Sequence, residues 1–257
     1  MTPFSIDDQE HILRYLDLFT TPEKNAPLVF IHGLGCASSS DYPPVVNSVS
    51  YTRRRSLLVD LMGSGFSDKP EDGKYDSTAQ AAALSKLLLS ESFPKVNLFG
   101  HSAGAFIALQ LARQLADQTG TLILCEPGLT DYGVAMLSEI TSMSEQQFVE
   151  SGFAQLLAQL KSSGGNEAWL GPFSVASPYA IYHWARSSLD DNARPWLDDL
   201  AALKVSKAVI LSDTASSERI AQFEQAGCTV ALVANAEHMI AYENPDGLAA
   251  AISKLLD

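Results

Sequence analysis

The stretch VNLFGHSAGAFIALQL, residues Val96–Leu111, decides the fold. It opens with a short apolar run, turns through GHSAG at residues 100–104, and continues as an apolar helical pattern. A G-x-S-x-G sequence between a strand and a helix predicts a tight, strained turn that exposes the serine hydroxyl above the sheet. The alternative is a glycine-rich turn that carries Ser102 incidentally. The flanking strand and helix patterns favour the first interpretation.

Composition and charge bound the class of protein. A chain of 257 residues with 46% hydrophobic residues is long enough for one substantial core. Its net charge of −13 argues against nucleic acid and anionic membranes as partners. The first residues show no secretion signal, and no apolar run reaches the roughly 18 residues of a membrane span. We therefore expect a cytoplasmic protein with a small-molecule substrate.

The three cysteines are far apart and odd in number, which is typical of reduced thiols. No metal-ligand spacing occurs in the sequence and no organic cofactor is implied, so we expect neither.

Apolar runs alternate with helical patterns along most of the chain. Residues 4–18 predict an antiparallel hairpin at a sheet edge, and residues 22–27 a polar connection. Besides the run before Ser102, buried strands are predicted at residues 28–31, 57–59, 122–125, 208–211 and 229–233, and helices at 78–89 and 247–256. This order predicts an α/β fold with a mostly parallel twisted sheet and helices on both faces.

The pattern changes between residues 129 and 203. No strand-like run occurs there, and amphipathic helices are predicted at residues 132–140, 145–160, 179–187 and 195–203. The chain is therefore predicted to consist of a core, residues 1–128 and 204–257, and a helical cap, residues 129–203, inserted after the strand that ends at Glu126.

Four motifs together resemble those of α/β-hydrolase-fold proteins that have a helical cap. They are His32-Gly33, the loop at residues 60–67, the turn around Ser102, and the NAEH sequence at residues 235–238 with YENP at 242–245. The resemblance covers nearly the whole chain and implies the fold much more specifically than the substrate.

A serine nucleophile needs a base, and the resemblance implies which of the five histidines supplies it. The family places its catalytic histidine in the loop after the last strand, where this chain has His238. His101 is next to Ser102 in sequence, but the two side chains should diverge at the turn. His32 is expected to shape the oxyanion loop, as it does in the family.

The acid that orients the histidine is less clearly marked. Most family members carry it a few residues past the strand after the cap; here that alignment gives Ala215, and Asp213 comes too early. A subset that includes haloalkane dehalogenases takes the acid directly after the strand before the cap, which is Glu126 in this chain. Glu126 is the favoured acid, with Asp213 and a degenerate triad as the alternatives.

An acyl-transfer transition state also needs two amide donors for its oxyanion. The backbone amides of Ala103 and Leu34 are predicted to supply them. Cys36 lies close in sequence and is interpreted as a packing residue. The tentative pocket lining is aromatic and lies in the cap: Trp169, Tyr179, Tyr182, His183 and Trp184.

These features predict a serine hydrolase for a small to medium, largely apolar carboxylic ester or lactone, acting through an acyl-enzyme. The aspartate nucleophile of dehalogenases and epoxide hydrolases is replaced here by Ser102. The alternatives are a carbon–carbon bond hydrolase, perhydrolase or lyase with the same triad, and a non-catalytic ligand-binding protein.

Overall fold

A twisted sheet of eight strands forms the centre of the computed structural model, which describes residues 1–19, 25–165 and 167–257. The strands are β1 Thr2–Ser5, β2 Ile12–Leu18, β3 Leu28–Ile31, β4 Ser56–Asp60, β5 Val96–His101, β6 Thr119–Cys125, β7 Ser206–Ser212 and β8 Thr229–Val233. Their order across the sheet is β1-β2-β4-β3-β5-β6-β7-β8.

The sheet is antiparallel at one edge and parallel elsewhere. β1 and β2 form the predicted hairpin, and β2 runs antiparallel to β4. All pairings from β4 through β3, β5, β6 and β7 to β8 are parallel. The carboxyl ends of these strands therefore meet at one edge, where ligands bind in open α/β sheets. The α/β fold with a mostly parallel sheet is confirmed.

Helices cover both faces of the sheet. They are α1 Ser38–Asp41, α2 Pro43–Val46, α3 Ser77–Ser90, α4 Gly104–Gln114, α5 Asp131–Ser142, α6 Glu145–Gln147, α7 Phe153–Ser163, α8 Glu167–Ser174, α9 Pro178–Ala193, α10 Trp196–Ala202, α11 Ser217–Gln225, α12 Ile240–Glu243 and α13 Pro245–Leu256. A π-helical turn, Phe148–Gly152, joins α6 to α7.

Alternate residues of the buried strands point to opposite faces and so form two apolar cores. One core packs strand residues such as Val29 and Leu98 against α3 and α4. The other packs Phe30 and Phe99 against α2 and α13. Burial on both faces explains why these strands read as continuous apolar runs in the sequence.

In its described residues, the chain between β6 and β7 contains helices α5 to α10, joined by loops, and no strand. The predicted helix at residues 145–160 is realised as α6, the π-helical turn and α7 in succession. The division of the chain into a core and a cap with the stated boundaries stays a prediction.

Several short or polar helices were not predicted from the sequence. They are α1, α2, α8, α11 and α12. Of the predicted polar connection at residues 22–27, positions 22–24 lie outside the described residues. Within the described ranges, no helix is long and apolar enough to cross a membrane.

Candidate active site

Ser102 lies at the predicted turn between β5 and α4. Its φ of +52° is left-handed, a conformation that costs energy for a residue with a side chain. Its amide donates to the Cys125 carbonyl at 3.0 Å, and its carbonyl accepts from the Ala105 amide at 2.9 Å. These bonds hold the strained turn between two neighbouring strand ends.

The two glycines of the pentapeptide allow this turn to pack closely. A Cβ on Gly100 would lie 2.6 Å from the Ala108 Cβ, and one on Gly104 would collide with the His32 carbonyl. Neither position can hold a side chain without moving the backbone nearby. The glycine spacing is therefore required by the approach of α4 to β3 and β5.

His238 contacts the serine hydroxyl. It lies in the loop between β8 and α12, and its Nε2 is 3.0 Å from Ser102 Oγ. The His101 ring supports this loop, because its Nε2 donates to the His238 carbonyl at 2.9 Å. The sequence thus placed His101 correctly as a packing residue beside the turn.

The histidines around the site are neutral at pH 7. Burial, and then the nearby His238, lower the pKa of His101 to about 3. Burial and then the positive charge of Arg219 lower the pKa of His238 to about 4. A neutral His238 that carries its proton on Nδ1 can accept the Ser102 proton at Nε2.

His32 connects the loops that follow β3 and β4. It is fully buried; its Nδ1 donates to the Gly33 carbonyl at 2.8 Å, and its Nε2 accepts from the Leu61 amide at 3.1 Å. Burial lowers its pKa although the charge of Asp60 acts in the opposite direction. His32 therefore acts here as a neutral connector of the loop that contains Leu34.

The two predicted oxyanion donors face the same cavity. Leu34 and Ala103 both line it together with Ser102. Within residues 1–19, 25–165 and 167–257, neither backbone amide donates a hydrogen bond. Trp169 holds the Leu34 peptide, because its Nε1 donates to the Leu34 carbonyl at 2.8 Å. Both amides are available to a ligand, and their role stays a prediction.

Glu126 is buried at the end of β6, but its carboxylate bonds groups other than His238. Its Oε1 accepts from the Ser212 amide at 2.6 Å, and its Oε2 accepts from Arg219 Nη1 at 2.7 Å. In the described part of the chain, the buried Nδ1 of His238 has no hydrogen-bond partner. The expected contact between acid and histidine is therefore not made in this structure.

Asp213, the alternative acid, is exposed beyond β7. Its amide donates to the Val233 carbonyl at 3.0 Å. Since the unpartnered Nδ1 of His238 has no bond to this side chain either, the acid assignment stays a prediction.

The cavity above Ser102 has a volume of about 350 Å³. Its walls come from the loop after β3, the start of α5, α8 and the His238 loop. The lining residues are Gly33, Leu34, Cys36, His101, Ser102, Ala103, Leu129, Thr130, Tyr132, Gly133, Met136, Leu137, Gly165, Ala168, Trp169, Glu237, His238, Met239 and Glu243. Lysine and arginine are absent from this set of described residues.

Cys36 is a buried, free cysteine in this wall. Burial raises the pKa of its thiol well above the usual value, and the carboxylate of Asp41 raises it further. A thiol that resists ionisation is a poor nucleophile. The structure therefore agrees with its interpretation as a packing residue.

The predicted pocket lining requires correction. Of its five residues only Trp169 lines the cavity. Tyr182 is buried and donates to the Met143 carbonyl at 3.0 Å, and the buried Trp184 ring packs edge-on against His32. His183 pairs with Glu145 at 3.3 Å near the surface, and Tyr179 is only partly buried in the apolar core.

These four residues are on α9, which packs behind α5 rather than over Ser102. The residues that sequence reasoning missed are on α5 and the segment before it, chiefly Thr130, Tyr132 and Met136. The sequence contained a signal for them. An amphipathic helix that directly follows β6 must begin beside the carboxyl ends of the strands, and so beside Ser102. Arg219, the partner of Glu126, was also missed, and it lies on a helix that was not predicted.

No group of three or more His, Cys, Asp or Glu side chains is arranged to hold a metal ion in the described residues. The site therefore combines a serine hydroxyl in contact with a neutral imidazole and the backbone amides of Leu34 and Ala103, which donate no hydrogen bond within the described residues.

Comparison with known proteins agrees with the fold. The model of the alpha/beta hydrolase family matches residues 28–251, from β3 to the middle of α13. The chain belongs to the α/β-hydrolase family. Membership supports hydrolase activity in general and leaves the bond and substrate open.

Individual relatives of this α/β-hydrolase match parts of it. It is 30% identical over 98 residues to a 2-hydroxymuconate semialdehyde hydrolase of Pseudomonas putida, which is 38% of this chain and 35% of that one. It is 29% identical to the mesoderm-specific transcript protein of Mus musculus over 42% of this chain and 32% of that one. The matches thus span about a third of the length of these curated relatives.

Solved structures share the fold at low identity. The epoxide hydrolase CorEH has a TM-score of 0.77 at 16% identity, covering 99% of this chain and 97% of its own. The enol-lactonase from Burkholderia xenovorans LB400 has a TM-score of 0.74 at 17% identity, covering 99% of both chains. These neighbours carry different activities on one architecture.

Proposed function

We propose that this α/β-hydrolase is a serine hydrolase for small to medium, largely apolar carboxylic esters or lactones. The observation that carries the proposal is the 3.0 Å contact between Ser102 Oγ and His238 Nε2 beside a cavity with two free amides. Nucleophile, base and oxyanion donors are then within reach of one carbonyl group.

In the proposed reaction, Ser102 Oγ attacks the substrate carbonyl carbon while its proton passes to His238 Nε2. The amides of Leu34 and Ala103 stabilise the negative oxygen of the tetrahedral intermediate. The alcohol then leaves with the proton from Nε2, and the acyl-enzyme remains. A water molecule then gives a proton to Nε2 and attacks the acyl carbon. As the acid leaves, Nε2 returns this proton to Ser102 Oγ, which restores the free serine and the neutral histidine.

The cavity supports an apolar, uncharged substrate. Leu34, Leu129, Met136 and Leu137 supply apolar walls, while its acidic members are Glu237 and Glu243. Since the described lining has no cationic side chain, a substrate with its own carboxylate would lose hydration without gaining a partner. This argues for neutral esters over esters of dicarboxylic acids.

The esterase proposal is tested with p-nitrophenyl butyrate. Substitution Ser102→Ala should lower turnover by about 10⁵- to 10⁶-fold, because nucleophile and base act as a unit. The exposed Ser163→Ala serves as the matched control and should retain full activity. No measurable hydrolysis by micromolar wild-type enzyme would contradict the proposal.

The choice of substrate class is tested with a charged analogue. The analogue, p-nitrophenyl hemisuccinate, adds a carboxylate that would be left without a partner in the cavity. We therefore expect its kcat/KM to be at least about tenfold below that for the butyrate. Equal or faster hydrolysis of the hemisuccinate would show that the cavity accepts anions.

A second candidate is a ligand-binding protein with an idle serine. The unpartnered Nδ1 of His238 favours it, because an unsupported imidazole is a weaker base. A fluorophosphonate probe distinguishes the two: covalent labelling at Ser102 supports the hydrolase, and no labelling supports the binding protein.

A further inference from the structure

Both oxygens of the Glu126 carboxylate accept hydrogen bonds from groups that are not part of the proposed reaction. The Glu126 side chain is 4% exposed and the Arg219 side chain is 31% exposed. Arg219 reaches Glu126 Oε2 through Nη1 at 2.7 Å and the Pro127 carbonyl through Nη2 at 3.3 Å. The amide of Ser212 takes the other carboxylate oxygen at 2.6 Å.

Glu126 is also strained into this position. Its φ is +42°, in the left-handed region that favours glycine, and its amide donates to the Ile210 carbonyl at 2.9 Å. A non-glycine residue in this conformation persists only where surrounding contacts hold it. The ion pair with Arg219 is one of those contacts.

The His238 loop and the Glu126 strand end are directly connected. Ser212, whose amide binds Glu126, donates its hydroxyl to the Ala236 carbonyl at 2.6 Å, two residues before His238. On the other side, the Cys125 carbonyl next to Glu126 accepts from the Ser102 amide. Glu126 is thus linked, through Ser212 and Cys125, to both segments that hold the serine and its base.

His238 itself shows that a partner is missing. For Nε2 to accept from Ser102, the ring must carry its proton on Nδ1, and in the described residues this buried donor has no acceptor. A buried donor without an acceptor is unfavourable. Of the titratable and charged groups, His101 lies beside the ring, with 5.1 Å between the ring centroids, and the charge of Arg219 acts on it. Glu126 is bonded to Arg219, and Glu237, Glu243 and Cys36 line the same cavity.

From this geometry, and resting on the proposed function, we infer that Arg219 is a positioning residue that withholds Glu126 from His238. In the free enzyme the hydrolase then works as a Ser102–His238 pair. Removal of the guanidinium releases the carboxylate to accept the Nδ1 proton and completes a triad. The charge of Arg219, which with burial lowers the pKa of His238, acts in the same direction, since it disfavours the imidazolium formed during the reaction.

The direct test is a titration of His238 followed by NMR of histidine-labelled protein, with the signal assigned from a His238→Gln variant. Substitution Arg219→Gln should raise the His238 pKa by about one unit or more, through loss of a cation and gain of a carboxylate. The control Arg219→Lys keeps the charge, so its His238 should titrate close to that of the wild type. The double variant Arg219→Gln with Glu126→Gln should lose most of the rise.

Kinetics give the second measurement. With p-nitrophenyl butyrate, Arg219→Gln should raise kcat/KM at pH 7 by about tenfold and move the acidic limb of the pH profile upward by the same pKa change. Glu126→Gln alone should lower kcat/KM by less than about tenfold, because it leaves the charge of Arg219 unneutralised. A working triad acid would instead cost about 10⁴-fold when neutralised in this way.

The outcomes separate the two proposals. An unchanged His238 pKa in folded Arg219→Gln, or a 10⁴-fold loss in Glu126→Gln, overturns the role of Arg219. A raised pKa without ester hydrolysis in any variant supports that role and rejects the esterase. If Arg219→Gln does not fold, the size of the loss in Glu126→Gln decides the matter.

Discussion

Two buried carboxylates at the carboxyl ends of strands, Asp60 as the last residue of β4 and Glu126 directly after β6, are stabilised in different ways. Among the described residues, the hydrogen-bond donors to the Asp60 carboxylate are neutral: the Ser39 amide at 2.9 Å, the Ser39 hydroxyl at 2.7 Å and the Phe66 amide at 3.0 Å. Glu126 has one amide and the guanidinium of Arg219.

This difference has opposite effects on the pKa values of His32 and His238. The charge of Asp60 raises the pKa of His32 against the effect of burial. The charge of Glu126 is paired with a cation, and the cation lowers the pKa of His238. A buried acid can therefore organise a loop or support a base, and its bonding partner decides which.

The largest expected effect concerns Asp60. In Asp60→Asn the side chain keeps one acceptor oxygen and gains an NH₂ group, which cannot accept from the three donors around it. The free energy of unfolding should therefore fall by about 3 kcal/mol. Urea unfolding measures this as a lower midpoint at unchanged slope. The exposed Asp8→Asn is the matched control and should change the midpoint little. A small effect of Asp60→Asn would mean that its charge is not needed to hold the loop.

The next effect is a pH dependence set by His238. Its pKa is about 4 in the folded protein and about 6.5 when unfolded, so between these values the unfolded chain binds more protons. Stability from this group is complete above pH 6.5 and is lost as the pH falls toward 4. Between pH 7 and 5 this should lower the free energy of unfolding by about 2 kcal/mol.

The His238→Gln variant isolates that contribution, since other groups change too. Asp41, whose pKa is raised by burial to about 7, acts in the opposite direction over this range. The change in the free energy of unfolding between pH 7 and 5 should therefore be less favourable in the wild type than in His238→Gln, as measured by urea unfolding. The same change in both proteins would show that His238 is not held neutral.

The smallest effect is expected for Glu126→Gln. Glutamine can still accept from the Ser212 amide, and the partly exposed Arg219 can turn to water. The free energy of unfolding should fall by about 1 kcal/mol, less than for Asp60→Asn. If thermal and urea unfolding reverse this order, the ion pair stabilises the fold more than the neutral-donor network does.

Local sequence motifs were enough to predict the fold and to single out Ser102 and His238, because each motif spans only a few residues. The glycines around Ser102 are fixed by close packing, and His238 follows the last strand. The bond between Glu126 and Arg219 joins residues 93 positions apart, and α11 has a polar sequence without an apolar run. No local pattern could reveal that Glu126 already had a partner.

The predicted lining of the pocket was wrong for a different physical reason. Aromatic residues at helical spacing predict an apolar face and do not say what that face covers. On α9 that face turns inward, where Trp184 packs on His32, while α5 supplies the cavity wall. Only Trp169 on α8 was placed correctly.

The bond from Trp169 to the Leu34 carbonyl gives this protein an optical reporter. The indole is tied to the peptide whose neighbouring amide is the predicted oxyanion donor, so a ligand that turns this peptide alters the surroundings of the chromophore. Trp184 and Trp196 supply the remaining emission, and substituting them with phenylalanine would isolate the Trp169 signal. Occupancy of the cavity could then be followed by fluorescence without turnover.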